Sequence, residues 1–206
     1  LPPDEVGSFL EVTGTSTMGL IGTEAPCDQG AFAVIYDTST GDLVWYQELD
    51  PSGSLGMLDM IRYTDAQTVI GETDGNVVEV DVSGNDIARF PVDYPGCCGL
   101  NHDIFQTGGV YYSQYQHVTG GLTLDNIVAL DATGVEVWTW DPADHLPIPG
   151  NAFGDYLHTN SEHVDADGNF YLSWLNQDTV AKFVGDPNDP NWGAPIWLMS
   201  GDGRPG

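Results

Sequence analysis

Residues 155–183 read DYLHTNSEHVDADGNFYLSWLNQDTVAKF, and the fold is decided there. His158 lies between an aromatic and an Asn-Ser pair, the turn Asp165-Ala166-Asp167-Gly168-Asn169 follows, and two short apolar runs, 170–175 and 179–184, come after it. In the first run Phe170, Leu172 and Trp174 alternate with Tyr171, Ser173 and Leu175. A period of two, aromatic and β-branched content and a Gly-Asn turn favour a hairpin ladder over a helix. His158 therefore stands just upstream of a strand, on irregular backbone braced by a sheet, where reactive groups are usually carried.

The same grammar recurs outward from this stretch. Strand-like segments 31–37 and 43–49, 77–82 and 87–92, and 127–131 and 135–140 are each joined by an Asp or its near neighbour, small polar residues and a Gly. The pattern returns more loosely as 179–184, a longer 185–193 loop and 194–199. A second hairpin precedes each later copy: 56–63 with 68–72, 102–107 with 110–116, and 161–164 with 170–175. First strands start near 57, 102 and 161, at intervals of 45 and 59 residues. Four short strands at a period of roughly forty to fifty residues is the signature of propeller blades.

The expectation is an all-β chain, a β-propeller of four-stranded blades with about three and a half blades in residues 1–206, forming one domain. A further strand is expected at 9–13. A twisted β-sandwich would also have short, evenly spaced strands, but it gives no reason for each unit to close on the same Asp-turn-Gly phrase. Propellers have roughly four to eight blades, and an open ring leaves strand edges unpaired. Further sequence beyond Gly206, or a second chain, is therefore expected to complete it.

Asp and Glu number 31 against four Lys and Arg, for a net charge of -27, and the cations Arg62, Arg89, Lys182 and Arg204 are scattered. Without a basic patch to neutralise phosphates, nucleic acid and anionic membrane surfaces are excluded as partners. Such a surface suits a saline or calcium-rich medium that screens its self-repulsion. The three cysteines, Cys27, Cys97 and Cys98, admit one disulfide and one free thiol. The location expected is secreted, periplasmic or cell surface. No run of about 18 apolar residues spans a bilayer.

Chemistry is carried by histidines at matched places. His102, in Gly99-Leu100-Asn101-His102-Asp103-Ile104, and His158 both stand near the first strand of a blade, and inner strands line a propeller's channel. Two converging imidazoles could ligate a metal, exchange protons or attack an electrophile. The structural alternative has each His brace its blade through a neighbouring carbonyl, with Asp103 and Asn160 capping local turns. His163 lies on a first strand and is placed to face the channel. His117 and His145 are read as solvated residues of Gly/Pro-rich loops. The acidic segments 165–169 and 185–191 read as turn formers in preference to calcium loops.

The phrases Asn101-His102-Asp103-Ile104, Asp155-Tyr156-Leu157-His158-Thr159-Asn160-Ser161, Asp165-Ala166-Asp167-Gly168-Asn169, Asn176-Gln177-Asp178-Thr179-Val180-Ala181-Lys182-Phe183 and Ile196-Trp197-Leu198-Met199-Ser200-Gly201 resemble, in order and spacing, the bacterial arylsulfotransferase (aryl sulfate sulfotransferase) family. The resemblance covers about residues 31–201. It implies a six-bladed, exported propeller that moves a sulfuryl group from a phenolic sulfate ester to a phenol through a sulfated His, without a nucleotide donor or other cofactor. His102 and His158 match two of the family's active-site positions, as acid/base and charge-stabilising groups. Asn160, His163 and Ser173 are then expected at the substrate, with no metal. The family's nucleophilic His belongs to a later blade, beyond Gly206.

Where the family carries a Ser-x-Arg phrase facing the sulfate, this chain reads Ser173-Trp174-Leu175. An anionic ester is disfavoured in a channel with no fixed cation. A non-catalytic extracellular propeller used for binding or assembly is thus a second expectation, and a metal-dependent hydrolase or lyase on the same His pair a third.

Overall fold

Asp residues that cap their own turns set the repeat. In the computed structural model, which describes residues 17–27, 30–50, 61–64, 66–73, 76–92 and 100–201, the Oδ1 atoms of Asp37, Asp81, Asp131 and Asp165 accept the backbone N–H two residues on, at 2.7–2.9 Å. Each turn then closes on a glycine with φ near +80° (Gly41 80, Gly84 82, Gly134 84, Gly168 81). That conformation favours glycine, and Asp supplies the local acceptor that the turn needs.

The turns join short antiparallel strands into four meanders. The first sheet is β1 (Leu20–Cys27), β2 (Gly30–Asp37) and β3 (Leu43–Asp50); the second is β4 (Ile61–Tyr63), β5 (Thr68–Thr73), β6 (Asn76–Asp81) and β7 (Asp86–Pro91). The third is β8 (Leu100–Thr107), β9 (Val110–Thr119), β10 (Leu122–Leu130) and β11 (Glu136–Trp140). A short helix α1 (Pro142–His145) follows, and β12 (Gly154–Asp155) runs parallel to β10. The fourth sheet is β13 (Thr159–Val164), β14 (Phe170–Trp174), β15 (Thr179–Phe183) and β16 (Pro195–Ser200). Together they are four blades of a β-propeller, with β4 beside β8 and β8 beside β13.

The blade boundaries agree with the repeat read from the sequence. The half blade is a three-stranded sheet, because Leu20–Cys27 adds a strand that the repeat did not signal. The strands 110–116 and 127–131 are longer than expected: β9 and β10 run on to a Gly120-Gly121 turn at φ 58 and 85. The strand expected at 9–13, most of the one at 56–63, the pairing of Cys97 and Cys98, and Arg204 lie outside the described residues.

The core lies between successive blades. Ala33 and Leu49 pack on Val69 and Val78; Ile70, Phe90 and Val77 pack on Ile104, Tyr111 and Val128; Trp140 and Ile127 pack on Phe170, Leu172 and Phe183. Burying such side chains contributes about 1.5–3 kcal/mol each, which makes the inter-blade seams the main source of stability. Two outer-strand tryptophans also reach across a seam. Trp45 Nε1 donates to the Val82 carbonyl at 2.9 Å and Trp140 Nε1 to the Gly193 carbonyl at 3.1 Å, each in the next blade.

At the inner edge a buried ion pair ties three blades. Arg62 on β4 binds Asp103 on β8 through Nε (2.8 Å) and Nη2, and Nη2 also donates to the Glu162 carbonyl on β13 at 2.9 Å. The Asp103 carboxylate, fully buried, further accepts the Ile104 and Glu162 amides at 2.8 and 2.9 Å. Asp103 is the buried partner and Arg62 is 27% exposed, so Asp103→Ala, which leaves the Ile104 and Glu162 amides without their acceptor, should cost about 1–3 kcal/mol in urea unfolding, and Asp103→Asn, which keeps an acceptor, less.

The turn carboxyls favour the fold above the carboxylate range. Hydrogen bonds from the Ser39, Asn85 and Thr133 side chains, then from turn amides, hold Asp37, Asp81 and Asp131 below the ordinary carboxylate range. The unfolded chain therefore takes up these protons at a higher pH than the folded one; the stabilisation is complete above about pH 4 and is lost on acidification. Unfolding free energy measured against pH should fall below that point, and Asp131→Asn should flatten the fall.

Candidate functional site

The inner strands of the third and fourth blades both start on backbone in the left-handed region. His102 has φ 62 and His158 φ 52, values that bulky residues rarely adopt. In β8 the cause is a bulge: Asn101 pairs with Gln114, but the next ladder pair is Ile104 with Ser113, so His102 and Asp103 are extra to the ladder. In β13, Thr159 pairs with Trp174 and Ser161 with Ser173, which leaves Asn160 out. The two irregularities bring the imidazoles together, with ring centroids 5.2 Å apart at 43°.

His158 is held from three sides. Its Nδ1 faces the Asp155 carboxylate. Its carbonyl accepts the Leu175 amide at 3.0 Å, while Asn176 donates to the Leu157 and Asp155 carbonyls at 3.2 and 2.6 Å. From β10, Asp125 accepts the Thr159 amide at 2.6 Å. Burial pushes the Asp125 carboxyl up, against the Thr159 hydrogen bonds, and the charge of Asp155 adds to the rise. With Nδ1–H directed at Asp155, a neutral His158 keeps a lone pair on Nε2.

The other expected site residues divide. Asn160 stands in the bulge next to His158, and Ser173 lies on β14 opposite Ser161. His163 is apart from the pair: it is exposed farther along β13, against the Phe105 ring at 4.7 Å and Tyr171 at 6.0 Å. Leu175 presents an apolar side chain that is 55% exposed. Lys182 does not fold back to the channel, since it pairs with Asp165 at 2.8 Å and lies over Tyr171. His117 is exposed, as expected, but belongs to strand β9, where it faces Asp141 at 3.6 Å, and His145 ends the helix α1 and stacks on Trp140 at 5.7 Å, so neither lies in a loop. In the acidic segment after β15, Asp186 and Asp189 cap the Asn188 and Asn191 amides at 2.9 and 2.7 Å, as turn formers do.

Sequence reading missed the position of one cation, Arg62. Arg62 lies at the inner edge, bound to the residue that follows His102. The available signal was an arginine in a short strand of a chain with only four cations. Among the described residues, no three His, Cys, Asp or Glu side chains are grouped to hold a metal ion, and no helix is long and apolar enough to cross a membrane.

Residues 11–193 match the Arylsulfotransferase (ASST) family. The chain belongs to the arylsulfotransferase family. Among solved structures, a protein of unknown function from Bacteroides caccae shares 11% identity at a TM-score of 0.52, over 88% of this chain and 57% of that one. A chain of the mitotic checkpoint complex shares 10% at 0.50, over 88% and 49%. Identities this low speak for the fold alone, and the arylsulfotransferase chain spans about half the length of these structures. No curated protein matches it.

The tautomer of His158 is directly measurable. Two-bond 15N–1H spectra of histidine-labelled protein, above the titration of the ring, should show its proton on Nδ1, and Asp155→Ala should return it to the Nε2–H form that free imidazole side chains favour.

Proposed function

We propose that the protein is an exported arylsulfotransferase-like enzyme that moves a sulfuryl group from a phenolic sulfate ester to a phenol. The observation that carries this reading is the pair of imidazoles, 5.2 Å apart, contributed by two blades of an arylsulfotransferase-family chain. In the first half-reaction the lone pair of a neutral imidazole attacks sulfur, an N–S bond forms, and the S–O bond to the aryl group breaks with its electrons on the phenolate oxygen. In the second, a phenol oxygen attacks the same sulfur, the N–S bond breaks, and the phenol proton passes through the imidazoles to the first phenolate. No electron changes hands, and no nucleotide is needed.

His102 and His158 are assigned the proton transfers and the stabilisation of charge on the moving oxygens. Asp155 orients His158 by holding its Nδ1. Asn160 and Ser173, beside the His158 end of β13, are assigned to the substrate. The exposed Leu175 favours a second reading, a secreted propeller with a binding or assembly role and no turnover, because an apolar side chain cannot neutralise sulfate.

Turnover of p-nitrophenyl sulfate with a phenol acceptor by the full-length protein separates the two. The first reading expects activity that His158→Ala lowers by about 10²–10⁴-fold, the usual worth of a general acid or base, with the circular dichroism spectrum unchanged. Wild-type turnover that survives the substitution contradicts the assignment, and a well-folded wild-type protein without turnover favours the second reading.

A further inference from the structure

A cavity of about 720 Å³ opens along the inner strands, lined by Arg62, Tyr63, Ile70, Phe105, Thr107 and His163 among others. Neither His102 nor His158 borders it. His163 lies five residues beyond His158, so along extended β13 the two are separated by about 15 Å. The cavity therefore runs from Arg62, whose partner Asp103 follows His102, toward the far end of the inner strands at His163; neither imidazole of the pair lines it, and its volume falls within the range of small-molecule sites.

Its chemistry is specific. The Arg62 guanidinium lies over the Phe105 ring, 5.4 Å from the centroid, and the His163 ring meets Phe105 edge-on at 4.7 Å. Arg62 uses Nε and Nη2 on Asp103 and the Glu162 carbonyl, while Nη1 makes no hydrogen bond among the described residues. Close by, burial holds the Glu162 carboxyl well above the usual carboxylate range, and the charge of Asp103 adds to this while Arg62 opposes it. Ile61, Ile70 and Ala66 supply apolar wall.

The geometry points to a second ligand site, for a planar aromatic anion, in which the acid group takes the free Nη1 edge of Arg62 and the ring lies against Phe105 and His163. Guanidinium recognises carboxylate and sulfonate alike, and the stacked ring surface selects an aromatic body. In a protein of net charge -27, an anion has few other places to bind.

Naphthalene-2-carboxylate and naphthalene-2-sulfonate, titrated into the full-length protein by calorimetry and ligand-observed NMR, test this, with neutral 2-naphthylmethanol as control. Both anions should bind, and the alcohol should bind about tenfold or more weakly, the worth of one charge-assisted hydrogen bond. Ala66→Trp, which fills an exposed part of the wall without touching the ion pair, should abolish binding of both anions and leave aryl sulfate turnover, where present, unchanged. His163→Ala should weaken binding, and His158→Ala should not. A carboxylate-only or sulfonate-only response narrows the acid group and keeps the site. Equal binding of the alcohol, binding that survives Ala66→Trp, binding lost in His158→Ala, or no binding of either anion would each overturn the site, and none of these depends on whether sulfuryl transfer occurs.

Discussion

The buried ion pair between Arg62 and Asp103 is the constraint on which the inner edge depends. A carboxylate removed from water is tolerated only when its oxygens are fully occupied, and Asp103 meets that demand with a guanidinium from one neighbouring blade and an amide from the other. Through the Glu162 carbonyl the same arginine reaches the fourth blade. Three inner strands are thus held at one relative height. The imidazoles of His102 and His158 meet because those heights are fixed; a slip of β13 by one residue against β8 would send the two rings to different faces.

Farther out, a different interaction repeats. Apolar side chains fill each seam, an Asp closes each capped hairpin, and an outer tryptophan in two blades donates to a carbonyl of the next. These contacts are local or join adjacent blades, so each blade supports its neighbour in turn, as expected of a repeat architecture. The seams supply most of the stability, whereas the polar inner edge supplies position.

The fold was legible because its determinants are local. Asp-x-x-Gly turns and alternating strands such as 170–174 are short-range signals, and they located three blades and half of the fourth. Leu20–Cys27 escaped because it alternates poorly and contains Pro26, so only its pairing with β2 makes it a strand. The site was half legible. Matched histidines follow from the repeat, but the partners that position them come from distant segments: Arg62 lies 41 residues from Asp103, and Asp125 lies 34 from Thr159. His145 was misplaced because a Pro-rich segment reads as loop, while the stack on Trp140 is a tertiary contact.

Family membership and geometry meet at the two rings. Left-handed backbone at His102, in a bulge, and at His158, just before β13, is a cost that ordinary strands avoid, and such irregularities concentrate where a side chain must be aimed. The most direct test is a nuclear Overhauser measurement in full-length protein labelled only at histidine. A cross-peak between the ring protons of His102 and His158, present in the wild type and weakened in Asp103→Ala, is the result expected of centroids 5.2 Å apart. Two assigned, sharp imidazole spin systems with no cross-peak between them would contradict the convergence of the blades on one site.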